Sequence, residues 1–168
     1  RDFVAAEILP LEHEPDILDE RENIRLDRLD QVRAKAKAAG LWALQSPKER
    51  GGLALSRVAM AACYEEMGRS IFGPACFNSA APDDGNMMVM AQIGTKAQQD
   101  KWLQPLIDGK VRSSFAMTEP MPGSGSDPSM MRTAATRKGD RWVINGRKWF
   151  ITGAGAAKHF ILLARTSD

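Results

Sequence analysis

Apolar residues recur at helical spacing along the first two thirds of the chain. Phe3, Val4, Ile8 and Leu9 share one stripe, which Pro10 ends. From about Arg21 to Ala39 the apolar positions are Ile24, Leu26, Leu29, Val32 and Ala36. Gly40 follows, the residue that a left-handed C-cap prefers. After a loop containing Pro47, Gly51 and Gly52, the positions Leu55, Val58, Ala59, Ala62, Cys63 and Met67 predict another amphipathic helix, closed by Gly68. Thr95-Lys96-Ala97-Gln98 has the form of a capping box and opens a helix through Trp102, Leu103, Leu106 and Ile107, ended by Gly109.

The period then changes. Residues 112–117 read as a short strand, 130–136 alternate weakly, and 159–164 form another apolar strand. Trp142-Val143-Ile144, then Asn145-Gly146, then Arg147-Lys148-Trp149-Phe150-Ile151 predicts a β-hairpin. Asn-Gly supplies both positive-φ residues of a type I′ turn, and aromatic and β-branched residues flank it. Helices followed by strands predict an α+β chain with segregated domains, a helical one over residues 1–111 and a β one over 112–168. A sheet of so few strands leaves an open edge and a half-covered face, so more chain is expected after Asp168. The absence of an initiator Met predicts that the chain starts inside a longer reading frame.

Composition narrows the function classes. The 168 residues are 43% hydrophobic and 26% charged, the balance of a globular protein. The net charge of +2 gives no case for a nucleic-acid partner. Acidic and basic residues are interleaved, as in Asp19-Glu20-Arg21-Glu22 and Asp27-Arg28-Leu29-Asp30, which reads as a solvated helix face. No apolar run approaches the roughly 20 residues of a membrane span, and the start shows no signal-peptide pattern. Cys63 and Cys76 sit among small apolar residues without metal-ligand spacing, so buried free thiols are expected and no metal site.

Two segments carry candidate chemistry. In Phe115-Ala116-Met117-Thr118-Glu119-Pro120-Met121-Pro122-Gly123-Ser124-Gly125-Ser126-Asp127, hydroxyls and glycines offer donors at close approach, suited to an electron-rich ring edge or a phosphate. Taken alone, a surface turn is the better reading. In Trp149-Phe150-Ile151-Thr152-Gly153, a strand end would put a flat ring and a hydroxyl on one side, where a planar cofactor could stack. Ordinary sheet packing is the commoner reason for such a pattern. Glu119 and Asp127 are tempting as acid and base by residue type. His159 reads as packed, His13 as exposed, and Met87, Met88 and Met90 as core.

The order of the two segments is more specific than either. A strand, Thr-Glu-Pro, a Gly/Ser loop and Ser-Asp, followed by Ile-Asn-Gly-x-Lys-x-aromatic-Ile-Thr-x-Gly, resembles the acyl-CoA dehydrogenase family. Gly40-Leu41-Trp42, Tyr64-Glu65-Glu66-Met67-Gly68, Ile93-Gly94-Thr95 with Gln98-Gln99, and Trp102-Leu103-Gln104-Pro105-Leu106 extend the resemblance over nearly the whole chain. Residues 81–87 and Gly153-Ala154-Gly155 look most like the branch whose eukaryotic members carry a kinase-like domain ahead of the dehydrogenase.

The resemblance implies an N-terminal helical domain, the beginning of a β-barrel-like middle domain, and a missing C-terminal helical domain that holds the catalytic Glu. No catalytic residue is therefore named in this chain; the resemblance implies that Glu119 and Asp127 hold the loop through side-chain hydrogen bonds, and that acyl-pocket lining is the alternative to core for Met87, Met88 and Met90. It implies FAD, with Phe115, Met117 and Thr118 at the pyrimidine side of the flavin and Phe150 flanking the ring. Thr152 would lie near N5, and Gly123, Ser124 and Ile151 would complete the cofactor contacts. The Gly/Ser loop is two residues longer than the family pattern. Counting from Pro120 selects Ser124 as the residue that touches acyl-CoA, and counting back from Asp127 selects Ser126. Ser126 is favoured for the substrate and Ser124 for the cofactor. The implied activity is α,β-dehydrogenation of an acyl-CoA in fatty acid β-oxidation, with electrons passed to an electron-transfer flavoprotein and assembly as a homodimer or homotetramer. An acyl-CoA oxidase or flavin monooxygenase of the same fold is the close rival, and a truncated non-catalytic binding fragment the distant one. The compartment would be cytoplasmic in a bacterium and mitochondrial or peroxisomal in a eukaryote.

Overall fold

The computed structural model describes residues 1–21 and 23–167. Glu22, in the interleaved charge run, and Asp168, the end of the expected β domain, lie outside the described residues. The chain is α+β and divides into two compact units, Arg1–Lys110 and Val111–Asp168.

The first unit is helical. Val4–Ile8 forms a π-helical turn and Leu9–His13 a 3₁₀ turn. Pro10 therefore does not end the opening helix as its position predicts. It sits in the first turn of the 3₁₀ segment, where a missing N–H leaves no bond unmade. The next helix, α1, spans Leu26–Ala38 rather than starting near Arg21. Asp19 accepts hydrogen bonds from the Arg21 and Asn23 amides at 2.8 and 3.0 Å, so this stretch is an Asx-type turn and not a helix face. At its end, the Leu41 amide donates to Ala36 O and the Gly40 amide to Lys37 O, with Gly40 at φ +70°, which is a Schellman cap.

Helix α2 spans Arg57–Met67, capped by Ser56, whose side chain accepts from the Ala59 amide. Short α3 (Gly73–Cys76) and α4 (Asp83–Ile93) follow. The helical run that Thr95 opens with a complete capping box comprises Lys96–Gln98, a π-helical Gln99–Leu103 and Gln104–Ile107. The core joins Val4, Ile8, Leu29, Val32, Met60, Met67, Phe72 and Phe77, with the Phe3 ring 5.4 Å from that of Phe77. Met87 is buried, while Met88 and Met90 are half-buried. Both cysteines are free, Cys76 buried and Cys63 half-buried.

The last helical turn in this unit ends inside the protein, where Leu106 O accepts from the Gly109 amide and side-chain donors reach the same carbonyl and its neighbours. Trp42 Nε1 donates to Ile107 O at 2.7 Å, and Asn78 Nδ2 to Leu106 O at 2.8 Å and Ile107 O at 3.2 Å. Lys37 Nζ donates to Asp108 O at 2.9 Å and lies 4.2 Å over the Trp42 ring.

The second unit carries four strands, β1 (Arg112–Ala116), β2 (Ala134–Lys138), β3 (Arg141–Asn145) and β4 (Ala157–Leu162). Strands β1 and β4 pair in parallel, Ser113 opposite His159 and Phe115 opposite Ile161. Strands β2 and β3 pair antiparallel, Ala134 opposite Asn145 and Lys138 opposite Arg141. The hairpin therefore turns at Gly139-Asp140, with Gly139 at φ +63°, and not at Asn145-Gly146. Gly146 has another reason to be glycine, because a Cβ there would stand 2.2 Å from Thr133 Oγ1 and 2.7 Å from Thr133 Cα. Residues 147–151 form no strand. Among the described residues no helix is long and apolar enough to cross a membrane.

Candidate functional site

The two candidate segments meet at the end of β1. Beyond Ala116 the chain runs out of its sheet and through Met117, Thr118 and Glu119. Three contacts lay residues 148–152 alongside it. Lys148 Nζ donates to Met117 O at 2.8 Å, the Trp149 amide donates to Thr118 O at 3.1 Å, and Ser114 Oγ donates to Thr152 O at 2.8 Å. The juxtaposition that the sequence order suggested is thus built by side-chain and backbone hydrogen bonds rather than by a strand pair.

Glu119 anchors this junction. Its side chain is 3% exposed, and its carboxylate accepts from the Arg132 amide, the Thr133 amide and Lys148 Nζ at 2.8, 2.8 and 2.9 Å. Lys148 is half-buried as a residue, with its side chain 9% exposed. Burial pushes the Glu119 carboxyl up, but hydrogen bonds from Thr133, the Arg132 amide and Lys148 outweigh it and hold the group well below the usual carboxylate range. Glu119 is therefore an ionised clamp joining residues 117–119, 132–133 and 148–149. It is not poised to move a proton.

Local geometry closes the Gly/Ser loop. The Glu119 amide donates to Gly125 O at 3.0 Å, the Gly123 amide to Pro120 O at 2.7 Å and the Asp127 amide to Ser124 O at 2.9 Å. A Cβ on Gly123 would stand 2.7 Å from Glu119 Oε2, so this glycine lets the loop lie against the clamp. The lengthened loop separates its two serines. Ser124 is buried and its hydroxyl donates to Gly125 O at 3.3 Å, while Ser126 is exposed. Asp127 Oδ1 accepts from the Ser129 amide and hydroxyl at 2.9 and 2.7 Å, which caps a single 3₁₀ turn and holds the carboxyl below its ordinary value.

The aromatic segment differs from its predicted form. A strand end would place Phe150 and Thr152 on one face. Instead Phe150 stands at φ +50°, a left-handed conformation that a bulky residue adopts only under constraint. The residue is 80% exposed, and its ring lies against that of Trp149 with centroids 4.5 Å apart at 37°. Phe115, Met117, Thr118 and Ile151 are half-buried and Thr152 is exposed. Together these residues present flat apolar surface beside hydroxyl and amide donors. The Met117 and Thr118 carbonyls already accept hydrogen bonds, from Lys148 Nζ and the Trp149 amide.

Sequence reading missed Lys148, Arg132 and Thr133 as parts of the junction. A lysine among Trp142, Val143, Ile144, Trp149, Phe150 and Ile151 was the available signal, since a charge inside an apolar stretch needs a partner. His13 is exposed and His159 half-buried on β4. Among the described residues no cluster of His, Cys, Asp or Glu could hold a metal ion.

Comparison with known proteins places this geometry. Residues 1–110 match the acyl-CoA dehydrogenase N-terminal domain, and residues 114–168 match the acyl-CoA dehydrogenase middle domain. Acyl-CoA dehydrogenase family member 11 of Gallus gallus is 44% identical over 142 residues, which is 83% of this chain and 18% of that protein. A solved chain from Mycobacterium abscessus, described as an acyl-CoA dehydrogenase, is 41% identical with a TM-score of 0.83, covering 98% of this chain and 44% of that one. The Bacillus anthracis acyl-CoA dehydrogenase, solved in complex with FAD, is 30% identical with a TM-score of 0.70, covering 98% of this chain and 27% of that one. The chain spans less than half the length of these relatives. With both of its units matched in order, the chain belongs to the acyl-CoA dehydrogenase family.

Proposed function

We propose that this chain forms one wall of the flavin site of an acyl-CoA dehydrogenase that carries out α,β-dehydrogenation of an acyl-CoA thioester. The observation that carries this reading is the clamp that lays residues 148–152 beside 114–119. It sets Trp149 against Thr118 and Thr152 against Ser114, so that segments distant in sequence run side by side with Phe150 between those contacts. The donor set fits an isoalloxazine ring, whose pyrimidine edge is rich in acceptors and whose face is flat and apolar. Met117 and Thr118 would hold the pyrimidine edge, Phe115 and Ile151 would back it, and Phe150 would flank the ring. Thr152 would donate near the reactive nitrogen, and Gly123 and Ser124 would hold the loop that borders the site. When bound, FAD supplies the hydride acceptor and passes the electrons onward.

What the chain itself does is bind, orient and exclude water. Exposed Ser126 is the loop serine available to the acyl-CoA arm, which supports its assignment to the substrate over Ser124. We assign the proton-abstracting base to none of these residues. Glu119 is fully engaged by three donors, and Asp127 serves the Ser129 turn. The electron acceptor is proposed to be an electron-transfer flavoprotein, and the assembly a homodimer or homotetramer.

The test uses the full-length protein with FAD and a panel of acyl-CoA thioesters from short to very long. Anaerobic bleaching of the flavin by an acyl-CoA, with turnover restored by an electron-transfer flavoprotein, is the expected result. Rapid reoxidation by oxygen with peroxide release would instead assign an oxidase. Failure to bind FAD would sink the flavin wall itself.

A further inference from the structure

The Lys148 ammonium is buried, 2.8 Å from Met117 O and 2.9 Å from Glu119 Oε1. A buried ion pair is a poor way to gain stability, because desolvation of both charges offsets their attraction and a packed apolar pair would do as well. The location of the charge is the informative feature. An ammonium donating to a peptide carbonyl draws electron density through that peptide unit, and hydrogen bonds in such a chain strengthen one another. The Met117 carbonyl and the Thr118 amide are two ends of one peptide unit, so Lys148 makes the Thr118 N–H a stronger donor. The Trp149 amide repeats the arrangement one residue on, donating to Thr118 O.

We infer that Lys148 is a positioning residue for electron transfer. Its charge, relayed through the peptide between Met117 and Thr118, raises the site's preference for reduced over oxidised flavin, and Glu119 sets how much of that charge is felt. The inference rests on the assignment of Met117 and Thr118 to the pyrimidine edge of the flavin. Reduction adds electron density to that edge, so a donor strengthened from behind binds the reduced ring more tightly than the oxidised one. Glu119 tempers the effect, since its carboxylate partly neutralises the same ammonium. Changes at the two positions should therefore act in opposite directions.

The experiment measures the flavin midpoint potential of the full-length protein, and its FAD dissociation constant, in excess FAD for wild type, Lys148→Met and Glu119→Gln. Lys148→Met is expected to lower the preference for reduced flavin about tenfold, which is about 30 mV for a two-electron couple. Glu119→Gln leaves the ammonium unneutralised and is expected to shift the potential upward. Lys148→Arg, which keeps the charge, is expected to stay within about twofold of wild type in that preference. A clamp that served only as scaffold would loosen the edge in both variants. Shifts of the same sign in both, or weaker FAD binding in both with no change in potential, would overturn the inference. If Lys148→Met does not retain FAD, Lys148→Gln keeps a donor to Met117 O without the charge, and the same downward shift is required of it. A wild-type protein that binds no FAD would instead overturn the flavin assignment, and this inference with it.

Discussion

Breaking the buried clamp should destabilise the second unit, and the losses from its two partners should fall short of additive. In Glu119→Gln the new amide can accept from one of the Arg132 and Thr133 amides, but its NH₂ group then faces another donor. Lys148 keeps only Met117 O, so a buried charge is left without its counterion. Removing one partner of such a pair costs about 3–5 kcal/mol. Lys148→Met leaves Glu119 with its two backbone donors, so the cost should fall at the lower end, about 3 kcal/mol. The double variant buries no charge and should cost about 2 kcal/mol less than the sum of the singles, within the range found for contacting residues. Thermal or urea unfolding followed by Trp fluorescence reads all three. A loss of about 3 kcal/mol corresponds to roughly 6–12 °C in midpoint for a chain of this size. Additive losses, or singles costing under about 1 kcal/mol, would refute the reading of a coupled buried pair. Acid supplies a further check. The folded state holds the Glu119 carboxyl below its unfolded value, so this stability is present above about pH 4.3 and is lost as pH falls below it. Glu119→Gln should flatten that acid limb.

Four further outcomes are expected. Gly146→Ala should cost about 1–3 kcal/mol, because its Cβ would stand 2.2 Å from Thr133 Oγ1, and a denaturant midpoint checks it. Asn78→Ala should cost about 2–3 kcal/mol in the first unit, since it removes the buried hydrogen bonds to Leu106 O and Ile107 O and leaves at φ +57° a residue that tolerates the left-handed region less well than Asn. Phe150→Gly relieves a left-handed backbone worth about 1 kcal/mol, so the apoprotein midpoint should hold steady while FAD affinity falls; equal FAD affinity would count against the ring's role. Burial pushes the Cys76 thiol up to about 11, so iodoacetamide should label Cys76 only after unfolding, as peptide mass mapping would reveal.

Short-range physics was readable directly. The capping box at Thr95 and the left-handed Gly40 are interactions within a few residues, and each formed where its residues predicted. The order of the Thr-Glu-Pro loop and the aromatic-Ile-Thr segment identified the family before any coordinates, and the helices-then-strands pattern set the fold class. Strand pairing was not readable in the same way. Asn145-Gly146 has every local property of a hairpin turn, yet β3 pairs backward across Gly139-Asp140. A turn propensity of a kilocalorie or so yields to the pairing that serves the whole sheet. Pro10 misled for the same reason, because its effect depends on which turn receives it.

The tertiary structure alone decided the clamp. Glu119 and Lys148 are 29 residues apart, and nothing local tells either that its partner is buried beside it. It also decided that Gly146 is needed for close approach to Thr133 and that Phe150 is held left-handed. Local sequence determines what each residue can do with its neighbours in the chain. Which charges share a dry interior, and which backbone groups they polarise, is set by contacts that exist only after folding.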